Sequence, residues 1–322
     1  MSSVAVIITT AEGREPYVLE CLQSLFNSDL ADTRLDVIVI DNGSTERLAG
    51  VVASYGERVR LIRNEGNFPL AETYNQGMAL VREELHAAYV LLLNDDTRLA
   101  PDCLQRLLDA SVQYPDAVLT PMQLTYQPPH GIDEGIYSLV NEQRDLVEDA
   151  VMRRPLKEVY PLPTLVGAAI FAHEGLYERI GPFDETFPFY GVDDDYCVRA
   201  RHLGYEVLLV PGARLSHLHG RFASTQEEDF ESWWWRWKSM LFGRNLLLLK
   251  RPEKPLWMNC LALTGRTAMS CGYSLSHLQL RGFVAFLISY GRMLRRLLRI
   301  RACRRAHYDP SRRNERNRAT PA

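Results

Sequence analysis

Short apolar runs alternate with amphipathic segments along the first half of the chain. The apolar runs lie at residues 4–10, 35–44, 59–64 and 89–96. Apolar side chains at helical spacing predict helices at residues 16–26, 70–85 and 101 to about 114. Continuous apolar strands separated by helices are typical of a sheet that is covered on both faces. We therefore predict an α/β fold with a mostly parallel sheet flanked by helices.

The second half of the chain has a less regular pattern. Residues 123–163 contain the turn-rich stretches QPPHGIDEG and PLPT and are predicted to be irregular. A strand and a short helix are expected in residues 165–181, and a helix and a strand in residues 191–220. From residue 225 onward the pattern favours helices and includes the aromatic run WWWRW. We predict an α/β domain over residues 1–222, a helical extension over 223–305 and a basic, disordered tail over 306–322.

Polar side chains fall where the predicted strands end. They are Thr9, Asp41, Asn42, Asn64, Asn94, Asp95 and Asp96. The carboxyl ends of parallel strands share one sheet edge, where ligands gather. Adjacent carboxylates repel each other and need a partner, which can be water, a hydrogen-bond donor or a cation. Asp95 and Asp96 could therefore cap the following helix or hold a metal ion.

Two further groups of candidate residues lie in the second half. Asp193, Asp194 and Asp195 are consecutive, and His217 is followed by His219. Alone, the aspartates could form the acidic first turn of a helix, and His217 could be a surface histidine. Carboxylates together with one imidazole suit Mn²⁺ or Mg²⁺, and a spare carboxylate suits a general base.

Composition and charge exclude several classes of protein. Of the 322 residues, 46% are hydrophobic and 24% are charged, and the net charge of -3 suggests no nucleic-acid partner. Six scattered cysteines without a C-x-x-C pair favour reduced thiols, and no signal peptide or membrane span is apparent, so we expect a cytoplasmic protein. The absence of G-x-G-x-x-G and of a P-loop argues against a dinucleotide oxidoreductase or a P-loop kinase.

Five segments resemble, in order, the motifs of a known family. TTAEGREPYVLECLQSL resembles the opening segment of that family. VIVIDNGSTE resembles V-V-D-N-x-S-T-D, and NEGNFPLAETYNQGM resembles the segment that begins N-x-G-N. LLLNDDT resembles L-L-L-N-P-D-T, and YGVDDDYCVRARHLGYEVLLVPGARLSH resembles E-D-x-D-L-C-x-R-x-R-x-x-G-Y. Over roughly residues 4–250 the chain resembles a family-2 glycosyltransferase of the GT-A fold, in the rhamnosyltransferase-like group. That resemblance implies a nucleotide-sugar-binding and catalytic domain over residues 1–222.

The resemblance also implies a role for each matching residue. Asp41 would contact the base of the donor nucleotide, Asp96 and His217 would hold the metal, and Asp193 would be the catalytic base. Further donor contacts would come from Thr9, Ala11, Asn42, Asn64, Asn75, Asn94 and Asp95. Such enzymes invert the configuration at the anomeric carbon of the sugar. The base deprotonates an acceptor hydroxyl, which displaces the nucleoside diphosphate from that carbon. Mn²⁺ or Mg²⁺ stabilises the charge that grows on the leaving group.

Some positions depart from the motifs. Val192 replaces the first acidic residue of the E-D pair, so the base could instead be Asp194 or Asp195. Helical spacing pairs Asp195 with Arg199, which leaves Asp193 best placed to face a cleft. Ala11, Glu12 and Pro69 also differ from the residues common in relatives, and they leave the finer donor contacts open.

The partners expected from the resemblance are a nucleoside-diphosphate sugar and a glycan or lipid-linked acceptor in bacterial cell-surface polysaccharide synthesis. From Arg281 onward the chain has twelve arginines and only two acidic residues. The apolar stretch FVAFLISY in the same region is too short to span a bilayer. Together, the arginines and this stretch predict either peripheral binding to an anionic membrane at the cytoplasmic face or a helix packed on the catalytic domain. Oligomers through these helices are a further option. The alternatives to a glycosyltransferase are a nucleotidyltransferase, for which AEGRE is a poor match to the expected loop, and a catalytically silent scaffold.

Overall fold

The computed structural model describes residues 2–43, 46–125, 144–187, 189–218, 230–277 and 279–308. Its strands are β1 (Ser2–Ala11), β2 (Thr33–Asn42), β3 (Val59–Asn64), β4 (Tyr89–Asn94), β5 (Thr97–Leu99), β6 (Ala117–Thr125), β7 (Tyr160–Pro161), β8 (Ala169–His173) and β9 (Glu206–His217). Its α-helices are α1 (Glu15–Phe26), α2 (Glu46–Ala53), α3 (Leu70–Leu80), α4 (Cys103–Gln113), α5 (Arg144–Val151), α6 (Glu174–Ile180), α7 (Val192–His202), α8 (Phe230–Lys250), α9 (Leu256–Ser276), α10 (Leu280–Arg295) and α11 (Leu297–His307).

All nine strands belong to one sheet. Eight of them follow the order β3-β2-β1-β4-β8-β6-β9-β5, and β7 pairs with β9 beside this path. The first four strands in this order are parallel, as are β6 and β9, whereas β8 is antiparallel to β4 and to β6. The α/β fold with a sheet flanked by helices is therefore confirmed, and the parallel pairing is concentrated in the first half of the chain.

Side chains that alternate along the strands build two cores. On β4, Val90 and Leu92 belong to one core, and Leu91 and Leu93 belong to the other. Helices α1, α2 and α4 cover the second face, while α3, α6, α7 and the C-terminal helices cover the first. A strand with apolar residues at every position is explained by this double cover, because both of its faces are removed from water.

Gly77 shows how closely α3 approaches the sheet. A Cβ atom at this position would lie 2.7 Å from Ile7 Cγ2 and 3.1 Å from Ile40 Cδ1. Any larger residue would push the helix away from β1 and β2. The glycine of the YNQGM segment is therefore required by packing.

Several local features differ from the sequence-based prediction. The predicted helix over residues 70–85 is α-helical to Leu80 and ends in a π-helical turn, Val81–Leu85. Strand β6 was not predicted; it contains Pro121 next to a register shift, and a proline is tolerated in a strand at such an irregularity. Helix α5 lies inside the stretch that was expected to be irregular.

The C-terminal helices pack onto the α/β core. Phe242 and Leu246 of α8, Leu263 of α9 and Met293 of α10 are buried in the same apolar cluster as α3 and α7. In the part of the chain that the structure describes, no helix combines the length and apolarity that crossing a bilayer requires. The side chains of WWWRW, His219 and residues 309–322 lie outside the described residues.

Candidate active site

The polar strand ends meet at one edge of the sheet, as predicted. Residue by residue, Thr9 pairs with Asn94 across β1 and β4, and Ala11 pairs with Asn42 across β1 and β2. Asn42 in turn pairs with Asn64 across β2 and β3. Parallel register therefore brings together residues that are up to 85 positions apart, because every strand of this group runs in the same direction.

Asp96 and His217 lie side by side at this edge. Strand β5 begins immediately after Asp96 and pairs antiparallel with the end of β9, so that Thr97 lies opposite His217. The Asp96 Oδ1 and His217 Nε2 atoms are 3.4 Å apart, and both side chains are largely buried. Asp96 Oδ1 accepts no hydrogen bond from the residues that the structure describes. A buried carboxylate oxygen of this kind is suited to a cation.

Arg14, which the sequence analysis did not single out, contacts both aspartates. Its Nε donates to Asp95 Oδ2 at 2.7 Å, its Nη2 donates to Asp95 Oδ1, and Nη2 lies 3.2 Å from Asp96 Oδ2. Burial raises the pKa of Asp95 above its usual value in spite of this arginine. For Asp96 burial acts in the same direction, but His217 and Arg14 outweigh it and lower the pKa to about 2. Asp96 is therefore a carboxylate at neutral pH.

Asp193 lies at the start of α7 and contacts the loop before β8. Its Oδ2 accepts a hydrogen bond from the Gly167 N–H at 2.8 Å. A Cβ at Gly167 would lie 3.0 Å from this oxygen, so a larger residue would crowd the contact. The neighbouring Ala168 carbonyl accepts from Asn94 N at 2.9 Å, which joins this loop to the end of β4. Asp193 is thus tied to the same sheet edge as Asn94.

Burial and the charge of Asp194 raise the pKa of Asp193 to about 7. Asp194 itself has a pKa above its usual value because it is buried, although Thr164 and Arg244 act in the opposite direction. A carboxylate with a pKa near neutrality is suited to accept a proton at physiological pH.

Asp195 is part of a separate, buried ion cluster. Its Oδ2 accepts from Arg199 Nε at 3.0 Å, as the helical spacing predicted, and its Oδ1 lies 2.6 Å from Lys250 Nζ. Lys250 also donates to Asp184 Oδ2 at 2.5 Å. Asp184, Asp195 and His307 have ligand atoms close enough for a metal ion, but the Lys250 ammonium lies among them. The cluster is therefore satisfied by a cation of the chain itself.

The predicted donor-contact residues differ in their surroundings. Asp41 is buried, with Arg63 Nε 3.4 Å from its Oδ2. Asn42 and Asn64 belong to a hydrogen-bonded group with Thr73 and Gln76 near the strand-end edge.

Asn75 has its hydrogen bonds elsewhere. Its side chain donates to the Phe183 carbonyl and to Glu185 and accepts from Phe183 N, which fastens α3 to the loop before α7. The donor contact expected for Asn75 stays a prediction.

Comparison with known proteins identifies the family. The model of Glycosyl transferase family 2 matches residues 5–142, and the model of Glycosyl transferase family group 2 matches residues 89–300. The latter match covers more than half of the chain. The chain belongs to glycosyl transferase family group 2.

Two relatives found by sequence are uncharacterized proteins. The chain is 27% identical over 268 residues to y4gI of Sinorhizobium fredii, a match that covers 78% of the chain but 27% of that relative. It is 24% identical over 221 residues to Rv1525 of Mycobacterium tuberculosis, covering 67% of the chain and 76% of the relative.

Solved structures with a similar fold are glycosyltransferases with the GT-A fold. The mannosyltransferase PcManGT from Pyrobaculum calidifontis, solved with GDP-Man and Mn²⁺, matches with a TM-score of 0.55 and 16% identity over 90% of this chain and 86% of its own. GalNAc-T7, solved with UDP, GalNAc and Mn²⁺, matches with a TM-score of 0.55 and 13% identity. The match covers 78% of this chain and 51% of the GalNAc-T7 chain. The GT-A fold of this family member is therefore shown, whereas the rhamnosyltransferase-like group has no support among these matches.

Proposed function

We propose that this member of glycosyl transferase family group 2 is an inverting, metal-dependent glycosyltransferase. It moves a hexose, with rhamnose as one candidate, from a nucleoside-diphosphate donor to an acceptor hydroxyl. The observation that carries the proposal is the meeting of three groups at one sheet edge: the Asp41 strand end, the Asp96–His217 pair, and Asp193 beside the Gly167 loop. In α/β sheets this edge is where ligands bind.

The Asp96–His217 pair supports a divalent-cation site. The buried Asp96 Oδ1 and the imidazole nitrogen of His217 beside it form a mixed oxygen and nitrogen donor set that suits Mn²⁺, and Mg²⁺ with more water ligands. A bound cation would stabilise the negative charge on the departing diphosphate. Asp95 is held by Arg14, so Asp96 is the carboxylate better able to serve as a ligand.

Asp193 supports the role of general base. Its Oδ2 is fixed by the Gly167 N–H, and a pKa of about 7 allows it to take the proton of an acceptor hydroxyl as the hydroxyl oxygen attacks the anomeric carbon. The bond from that carbon to the diphosphate breaks in the same step, and the configuration at the anomeric carbon is inverted. The other two aspartates of the run are engaged differently, because Asp195 is buried in an ion pair and Asp194 interacts with Thr164 and Arg244.

The acceptor is proposed to be a glycan or a lipid-linked glycan of bacterial cell-surface polysaccharide synthesis, used at the cytoplasmic face of the inner membrane. The support for this part is the motif resemblance described above, together with the basic and apolar C-terminal helices.

Calorimetric titration of UDP, GDP and dTDP with and without Mn²⁺ tests the donor side of the proposal. Release of nucleoside diphosphate from a panel of UDP-, GDP- and dTDP-sugars then tests transfer. We expect at least one nucleotide to bind more tightly with Mn²⁺, and its sugar to be consumed. Nucleotide binding without turnover of any donor would indicate a silent scaffold. Pyrophosphate release from a nucleoside triphosphate and a sugar phosphate would indicate a nucleotidyltransferase.

A further inference from the structure

Helix α9 has an outward face without charge. Its buried positions, which include Asn259, Leu263 and Thr267, define one stripe along the helix. The twelve exposed positions lie on the opposite side, and none of them carries a charged side chain. Large apolar residues stand among them: Trp257 and Leu261 are each 63% exposed. Helices that face water normally carry charged residues on that side.

Helix α10 continues this face. Helices α9 and α10 pack against each other and against α8, so their outward faces adjoin on the side away from α8. Two contacts fix the arrangement: Asn245 of α8 donates to Ser289 of α10 at 2.9 Å, and the hydroxyls of Thr264 and Tyr290 are 2.9 Å apart. The C-terminal apolar face consists of Trp257, Leu261, Met269 and Tyr273 of α9 with Val284 and Leu287 of α10.

Positive charge borders the C-terminal apolar face. Exposed arginines lie at the end of α10 and along α11: Arg292, Arg295, Arg299 and Arg301. From residue 256 to residue 307 the sequence has nine arginines, no lysine and no acidic residue, although the whole chain has a net charge of -3. An apolar surface with a strongly cationic border complements the acyl chains and anionic headgroups of a lipid bilayer.

The charge also decides between a bilayer and a second copy of the chain. Two copies that met through this face would bring two arginine-rich borders together without an acidic partner from either segment, and like charges at an interface oppose association. We infer that the C-terminal apolar face lies in the interface of an anionic bilayer, with the arginines at the level of the headgroups. The inference uses the surface alone and does not rest on the proposed transfer reaction.

Flotation with lipid vesicles tests this inference on the full chain. We expect recovery with vesicles of phosphatidylcholine and phosphatidylglycerol, and little recovery with phosphatidylcholine alone. Leu261→Glu combined with Met269→Glu should abolish recovery, whereas Val112→Glu, on an equally exposed apolar residue of α4, should not. Leu261→Ser with Met269→Ser provides the same test with a milder change, and circular dichroism verifies folding of each variant.

The arginines have an independent test. Neutralising one arginine near an anionic surface is expected to lower partitioning about fivefold. Arg295→Gln with Arg299→Gln should therefore reduce recovery far more than Arg153→Gln, which lies outside the C-terminal helices and is also exposed. Equal recovery with neutral and anionic vesicles, or equal recovery of the two variants, would overturn the inference.

Two measurements on the same samples separate the possible failures. If nucleotide binding with Mn²⁺ is intact but the chain does not float, the membrane inference fails and the proposed transfer reaction stands. If sedimentation shows a dimer that Leu261→Glu with Met269→Glu dissociates, and vesicles do not compete with it, the face is an interface between copies and the inference is wrong.

Discussion

Replacing Asp193 with asparagine gives the sharpest test of the proposed mechanism. In the wild-type chain the Gly167 nitrogen donates to Asp193 Oδ2 at 2.8 Å. The amide oxygen of asparagine can accept the same hydrogen bond, so the loop contact survives the change. What is lost is the ability to take a proton at neutral pH. Removal of a general base commonly lowers the rate by about 10²–10⁴-fold. We therefore expect turnover to fall by this factor while the affinity for nucleotide and Mn²⁺ stays the same.

The pH dependence gives a second readout of the same residue. With a pKa of about 7, Asp193 is a carboxylate above neutral pH and is protonated below it. The rate of the wild-type chain should be nearly constant above pH 8 and fall about tenfold for each pH unit below 7. In the asparagine variant this dependence should disappear.

Stability should change in a defined direction. Between the ordinary carboxyl pKa of 3.8 and about 7, the folded chain holds a proton on Asp193 that the unfolded chain releases. This residue therefore makes the chain less stable as the pH rises through that window. Because asparagine is neutral throughout, the variant should be at least as stable as the wild type at pH 8 in a urea titration.

Asp194→Asn is the matched control, since it makes the same chemical change one residue along α7. It should retain most of the activity. Full activity of Asp193→Asn together with a crippled Asp194→Asn would show that the base was assigned to the wrong aspartate. A large loss of stability in Asp193→Asn at pH 8 would refute the reasoning about its pKa.

Three further changes probe the rest of the site. Asp96→Ala should abolish the Mn²⁺-dependent part of nucleotide binding and leave the fold intact, whereas Asp109→Ala on the exposed face of α4 should do neither; calorimetry decides. Lys250→Met removes the cation that two buried carboxylates share, although Asp195 keeps Arg199, and should cost about 3–5 kcal/mol of unfolding free energy, measured by urea titration against the exposed control Lys254→Met, and an unchanged midpoint would contradict this. Arg14→Met should destabilise the chain more at pH 8 than at pH 5, because Asp95 without its arginine is better tolerated when protonated; an equal loss at both pH values would speak against it.

Much of the fold was determined by the sequence alone. Uninterrupted apolar strands and amphipathic helices are local patterns, and each reports burial on its own element. The bounds of β3 were predicted to the residue, and those of α1 to within one residue. The meeting of strand ends at one edge also followed from the sequence, because parallel strands that alternate with helices all point the same way. The i, i+4 pair of Asp195 and Arg199 was likewise local.

Tertiary structure alone decided the partners across long sequence separations. The pairing of β5 with β9 brings Asp96 beside His217. This pairing could not be predicted, because a three-residue strand is too short to have a recognisable sequence pattern. Arg14 contacts Asp95 from 81 positions away, and Lys250 contacts Asp184 from 66 positions away. The sequence shows that these side chains are charged, but no sequence pattern identifies the distant residue with which each of them pairs. Only the folded chain sets the distances and the burial that turn such residues into ion pairs, and a strand-end carboxylate into a candidate ligand.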